Sequence, residues 1–186
     1  GMIPSHKIIY HDCARFFNAA KMDLTDHIRR VALFGTLGRG RGYELLIGLA
    51  KRFGDMEFHV FGRMTTGHDV IETPKNLSFH NPIPHKMVRD RMMEYDLLLV
   101  PYEEVPLAGG LSSYLWMSPI KLFESMESGI PFICSDLPVL REVVDESLCF
   151  LANAGNLDSW IAAIERSKPV DTRKKKAMNA RNAILL

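Results

Sequence analysis

The sequence predicts a three-layer α/β domain built on a doubly wound parallel sheet. Three observations carry that prediction. Short apolar runs alternate with helix-period segments through most of the chain, several runs are apolar on both faces, and glycine-rich loops follow two of them. Runs such as DLLLVPY and PFICSD have no polar face, as strands covered by helices on both sides do not. Their alternation with helical segments of about 10–15 residues means βαβ units and helices on both sides of one sheet.

Strands are predicted over Val31–Gly35, Glu57–Gly62, Asn76–Asn81, Asp96–Tyr102, Pro131–Asp136 and Leu148–Asn153. Between the first two, Tyr43–Phe53 places Leu45, Leu46, Leu49 and Phe53 on one helical face. After Pro84, the residues Met87, Val88, Met92 and Tyr95 form a second such face. After Pro119 the stripe is Ile120, Phe123 and Met126, and Gly129 supplies the stop. Val139, Leu140, Val143 and Val144 make another stripe, and Trp160, Ile161 and Ile164 the next. The stretch from Val70 to Lys75 reads as a loop, and residues 170–186 as a basic helix. Residues 3–30 do not fit the repeat. Gly1 ahead of Met2 reads as the remnant of a removed tag and NAILL as a cut end, so the expectation is a piece of a longer protein.

Composition narrows the class. The chain has 186 residues, one domain or one large lobe, with 47% apolar and 24% charged residues and a net charge of +1. That balance gives no electrostatic reason to expect nucleic acid. Cys13, Cys134 and Cys149 are odd in number, lack C-x-x-C spacing and, for the last two, sit in apolar runs, so they read as reduced structural thiols of a cytoplasmic protein. No apolar run reaches the roughly 18 residues of a membrane span, and no signal peptide is visible. The seven histidines show no metal-ligand spacing and read as core or surface; no metal is expected. Arg173–Lys176 reads as a solvated helix face, with a peripheral contact at an anionic membrane as the alternative.

Ligands of doubly wound sheets sit beyond the carboxyl ends of the strands, where strand order reverses. For the order 3-2-1-4-5-6 the crevice lies between the loops after the first and fourth strands, here GTLGRGRG and EEVPLAGGLSSYLWMSP, the two most glycine-rich loops. The first is not a Walker loop. Gly35 and Gly40 have the spacing, but Arg41 and Gly42 replace the lysine and hydroxyl that carry its chemistry. Nor is it a dinucleotide fingerprint, because the glycine spacing is wrong and HVFGRM lacks the ribose acid. A tight turn with solvated arginines remains open for this loop alone.

The second loop leads into SPIKLFESMESG, with Ser118 as N-cap and Pro119 at N1. Lys121 then falls in the first helical turn, where a cation opposes the helix dipole unless an anion is bound there. Glu124 lies three residues on and shares its face, so the two suit a phosphate and a pair of hydroxyls, or simply a surface ion pair.

SPIKLFESMESGIPFICSDLPVLREVV resembles the donor-binding signature of the GT-B glycosyltransferases of group 1, the glycogen-synthase-like type, whose familiar form runs S-P-L-K-L-F-E-Y-M-A-x-G-K-P. VALFGTLGRGRGYELLIGLAKRF and FHNPIPHKMVRDRMMEYDLLLVPY resemble that family's opening strand–loop–helix and its middle stretch, so the resemblance covers about residues 30–167. It implies a Rossmann-like domain, one lobe of a GT-B fold, with residues 1–30 joining lobes, 31–167 binding nucleotide sugar and 168–186 a basic C-terminal helix. By the same resemblance Gly35, Thr36, Arg41, Ser118, Pro119, Ile120 and Lys121 hold the donor diphosphate and Glu124 the ribose hydroxyls; Glu103, at the end of the fourth strand, Trp116 and Ile83 are candidates for further sugar or base contacts.

Two departures stand out. Thr36 replaces a frequent arginine, and Trp116 stands where many members carry an earlier acid, which leaves sugar and stereochemical outcome open. The implied donor is a UDP- or GDP-linked sugar, with no cofactor and no metal. The acceptor, a glycan or lipid-linked sugar, and the catalytic base are expected mainly from an N-terminal lobe, so this piece alone should transfer little. A non-enzymatic nucleotide-binding module and a sugar-nucleotide epimerase on the same scaffold are the alternatives.

Overall fold

The computed structural model describes residues 24–37, 42–64, 72–103 and 119–185. Six strands form one parallel sheet: β1 (Arg30–Phe34), β2 (Glu57–Phe61), β3 (Leu77–His80), β4 (Leu97–Val100), β5 (Phe132–Asp136) and β6 (Phe150–Asn153). The helices are α1 (Tyr43–Arg52), α2 (His85–Met92), α3 (Ile120–Ser128), α4 (Pro138–Arg141), α5 (Leu157–Ser167) and α6 (Val170–Leu185). The strand order is β3-β2-β1-β4-β5-β6, all pairs parallel. This is the doubly wound, three-layer arrangement the sequence predicts, with the order reversing between β1 and β4. Every predicted strand is present: β1 keeps its length but starts and ends one residue earlier, and the other five are shortened by one to three residues in all.

Strand alternation divides the core in two. One set (Val31, Leu33, Phe58, Val60, Leu97 and Ile133) packs under α1 and α5, where Leu46, Leu49 and Trp160 are buried. The opposite set includes Ala32, Phe34, Leu98, Val100, Phe132 and Cys134, and it packs under α3, α4 and α6 with Leu122, Met126, Leu140 and Ala180. Helix α3 is buried from Leu122 through Ser128 because it lies between the sheet, α2 and α6. Its serines fit this enclosure by bonding back to the backbone: Ser125 Oγ donates to Lys121 O and Ser128 Oγ to Ser125 O, both at 2.7 Å. Gly129 ends the helix at φ 71°, as expected of a left-handed C-cap.

The amino edge of the sheet is tied by Asp96. Its carboxylate accepts the backbone N–H groups of Arg29 (2.9 Å) and Arg30 (3.0 Å) and the Thr25 hydroxyl (3.2 Å), fixing the entry to β1. Arg173, on α6, reaches the same corner and donates to Thr25 O. The basic run is therefore not a solvated face throughout. Arg173 is 1% exposed, and burial lowers its pKa against the opposing pull of Asp96 and Asp26. Lys176 donates to the carbonyls of Glu146 and Cys149, and Arg166 to Leu151 O, so two cations cover carbonyls of the outer strand β6 and the chain entering it. Only Lys174 and Lys175 of the run are exposed.

Cys134 and Cys149 are buried free thiols, and burial raises both pKa values, that of Cys149 to about 12. Among the described helices none is long and apolar enough to cross a membrane. Replacing Asp96 by Ala leaves two strand-entry N–H groups without their acceptor and should cost about 1–3 kcal/mol in urea denaturation. Replacement by Asn, which keeps one acceptor oxygen, should cost less.

Candidate functional site

The parallel sheet sends all its carboxyl ends to one edge, and β1 and β4 diverge there. The exit from β1 turns at Gly35, whose φ of 128° is a conformation side chains rarely adopt. Its N–H donates to Phe61 O at 2.7 Å, and Leu37 N–H to Arg63 O at 2.9 Å, so the start of the loop is held by the chain leaving β2. Gly62 makes this approach possible, because a methyl group there would overlap the Gly35 carbonyl.

Across the crevice, the Lys121 side chain lies along Gly35. A methyl group on Gly35 would sit 2.9 Å from Lys121 Nζ and closer still to Cε. The ammonium is 5.1 Å from the centroid of the Tyr102 ring, within cation–π range. Tyr102 is fixed in turn where β4 splays from β5. Its N–H donates to Ser135 Oγ and its carbonyl accepts from the same hydroxyl, both at 2.7 Å. Ser135 is fully buried, and this one hydroxyl takes over where the ladder ends.

Helix α3 begins at Ile120, so Pro119 itself takes the N-cap position, one residue later than the expected Ser118 cap. Lys121 is then the second helical residue, and the first turn carries no acid. One turn on, Glu124 is 8% exposed and accepts a hydrogen bond from His85 Nε2 at 2.7 Å. A carboxylate cannot donate, so His85 carries its proton on Nε2.

Glu103 takes a different direction. It is hydrogen-bonded to the Gly42 N–H at the start of α1, and burial followed by the Glu44 charge raises its pKa, with the Gly42 bond opposing. The two helix starts flanking the crevice thus differ in charge: α1 has a carboxylate of its own chain, and α3 has a lysine.

The fold brings together Gly35, Lys121, Pro119 and Ile120, with Thr36 half-buried beside Gly35. Glu124 lies one turn deeper in α3, and Ile83 packs against the core below α2. Arg41, Ser118 and Trp116 lie outside the described residues. Two partners escape sequence reading. Tyr102 supports Lys121, signalled only by an aromatic residue at the end of β4, and His85 holds Glu124, signalled only by its place at the exit of β3. Two further cavities, of about 460 and 620 Å³, lie away from this edge, beside the β2–β3 entry and along β6.

These features define a class: a Rossmann-like lobe with a basic helix N-terminus at its switch point. Neither a protein-family model nor a curated protein sequence matches the chain, so comparison rests on folds. The fold is similar to the C-terminal domain of a group 1 family glycosyl transferase, LpcC of Francisella tularensis, at 16% identity and TM-score 0.65 over 84% of each chain. TarM of S. aureus matches at 18% identity and TM-score 0.69, over 92% of this chain and 34% of its own. Anabaena HepE, solved with UDP-glucose, matches at 16% identity and TM-score 0.64, over 83% of this chain and 43% of its own. At these identities the likeness shows a fold, that of the C-terminal lobe of a GT-B glycosyltransferase. The chain spans less than half the length of TarM or HepE.

Two outcomes test the geometry. Gly35→Ala should destabilise the chain by about 1–3 kcal/mol, from the strained φ and the displaced lysine, measured by urea denaturation. Glu103→Gln tests the electrostatics. A carboxyl whose folded pKa is raised binds more protons folded than unfolded, so stability falls as pH rises past its ordinary value of 4.5. The Gln variant should therefore melt about 1–2 °C above wild type at neutral pH and lose that advantage below about pH 4.

Proposed function

We propose that this chain is the donor-binding lobe of a glycosyltransferase that uses a nucleotide-diphosphate sugar. One observation carries the reading: Lys121, in the first turn of α3, laid across the crevice onto Gly35. A cation there works against the helix dipole in an empty structural helix and with a bound diphosphate in a donor site. The phosphates meet the α3 N-terminus and Lys121, joined by Gly35, Thr36, Ser118, Pro119, Ile120 and Arg41. Glu124 takes the ribose hydroxyls.

Departure of the nucleotide diphosphate builds negative charge on the phosphates, and these preorganised groups stabilise it without a metal. UDP is the first nucleotide to test, since TarM and HepE have each been solved with UDP. The acceptor, a glycan or lipid-linked sugar, belongs to an N-terminal lobe joined through residues 1–30, with residues 168–186 as the C-terminal helix. The setting is cytoplasmic polysaccharide assembly, with the whole enzyme meeting a lipid-linked acceptor at the inner membrane face.

Thermal unfolding with UDP, GDP and ADP tests the reading. Whichever nucleotide binds should stabilise the folded state by about 2.7 kcal/mol at a hundredfold excess over Kd. Lys121→Ala should weaken the nucleoside diphosphate at least tenfold and leave the nucleoside unchanged. No shift with any nucleoside diphosphate overturns the donor-site reading.

A further inference from the structure

Lys121 and Glu124 stand three residues apart on one helix, a spacing at which opposite charges ordinarily pair. They are drawn apart instead. The Lys121 chain runs to Gly35 and the Tyr102 ring, at the ends of β1 and β4. The Glu124 carboxylate is taken by His85, the first residue of α2, beyond the end of β3. Its side chain is 10% exposed and that of His85 63%, so a buried anion is held by a residue on the rim. A carboxylate so placed needs a donor, and His85 is its only hydrogen-bond partner among the described residues. With Oε1 engaged, Oε2 accepts no hydrogen bond from those residues.

We infer that His85 is a positioning residue of the donor site, holding Glu124 so that Oε2 reads the ribose diol and the carboxylate stays off the Lys121 ammonium. The inference rests on the donor-site reading of Glu124 and adds the device that makes that reading workable. Without His85 the carboxylate turns toward the ammonium one turn away, and both functions weaken together. A merely structural histidine would disturb neither the choice of sugar ring nor the grip on phosphate.

Titration calorimetry on the chain tests this with UDP, GDP, their 2′,3′-dideoxy forms and inorganic pyrophosphate. Wild type should prefer the ribose form of the nucleotide it binds by about tenfold, the scale of one charged hydrogen bond. His85→Ala should bring that ratio below about threefold and weaken pyrophosphate by a similar factor. His85→Gln, whose amide can donate, should retain the preference and shows that the position tolerates change. The double variant His85→Ala/Glu124→Gln should regain pyrophosphate affinity, since the Glu124 carboxylate is no longer there to pair with Lys121. A wild type that binds none of the nucleotides overturns the donor-site reading and this inference with it. A His85→Ala variant that keeps both the ribose preference and the pyrophosphate affinity overturns the inference alone.

Discussion

The close approach of Lys121 to Gly35 is the constraint on which the crevice depends. It requires a residue without a Cβ at the end of β1, in a backbone conformation with φ of 128°. It also requires a second glycine, Gly62, beneath the Gly35 carbonyl, because β2 must pass close enough to accept the Gly35 N–H. On the other side, α3 must bring its first turn to the switch point, and its burial from Leu122 to Ser128 leaves it little freedom to do otherwise. The ammonium rests on Tyr102, and Tyr102 is pinned by Ser135. Four strands and one helix thus converge on one amine.

Charge divides the two helix starts. An anion binds at a helix N-terminus when the orphan N–H groups and the local charge both favour it. At α1 the Gly42 N–H is met by Glu103, and Glu44 adds a second negative charge nearby. At α3 the first turn holds Lys121 and no acid.

Most of the fold was legible because parallel strands buried on both faces leave continuous apolar runs, and because glycine must follow where chains turn tightly. The strand order followed from chemistry as well as pattern: the two glycine-rich loops belonged on one crevice, and the sheet places the ends of β1 and β4 side by side. Less legible was whatever depended on partners distant in sequence. His85 and Glu124 are 39 positions apart, and no local periodicity joins them. Glu103 read as a rim acid at the end of the fourth strand, and nothing local in the sequence showed its bond to the Gly42 N–H at the start of α1. Arg173 looked like its lysine neighbours, yet α6 packs its face inward, and a charge run does not reveal which member is buried.

The two edges of the sheet use carboxylates for opposite purposes. At the amino edge Asp96 accepts two backbone N–H groups and a hydroxyl, and its lone pairs are spent on holding β1 in place. At the carboxyl edge Glu124, buried as deeply, is held among the described residues through its Oε1, which accepts from the Nε2 of a rim histidine. Equal burial with unequal satisfaction separates the two. Asp96 accepts three hydrogen bonds within the chain. Glu124 keeps acceptor capacity, among the described residues, on the side of the sheet where β1 and β4 part, and that difference does not depend on its place in a motif.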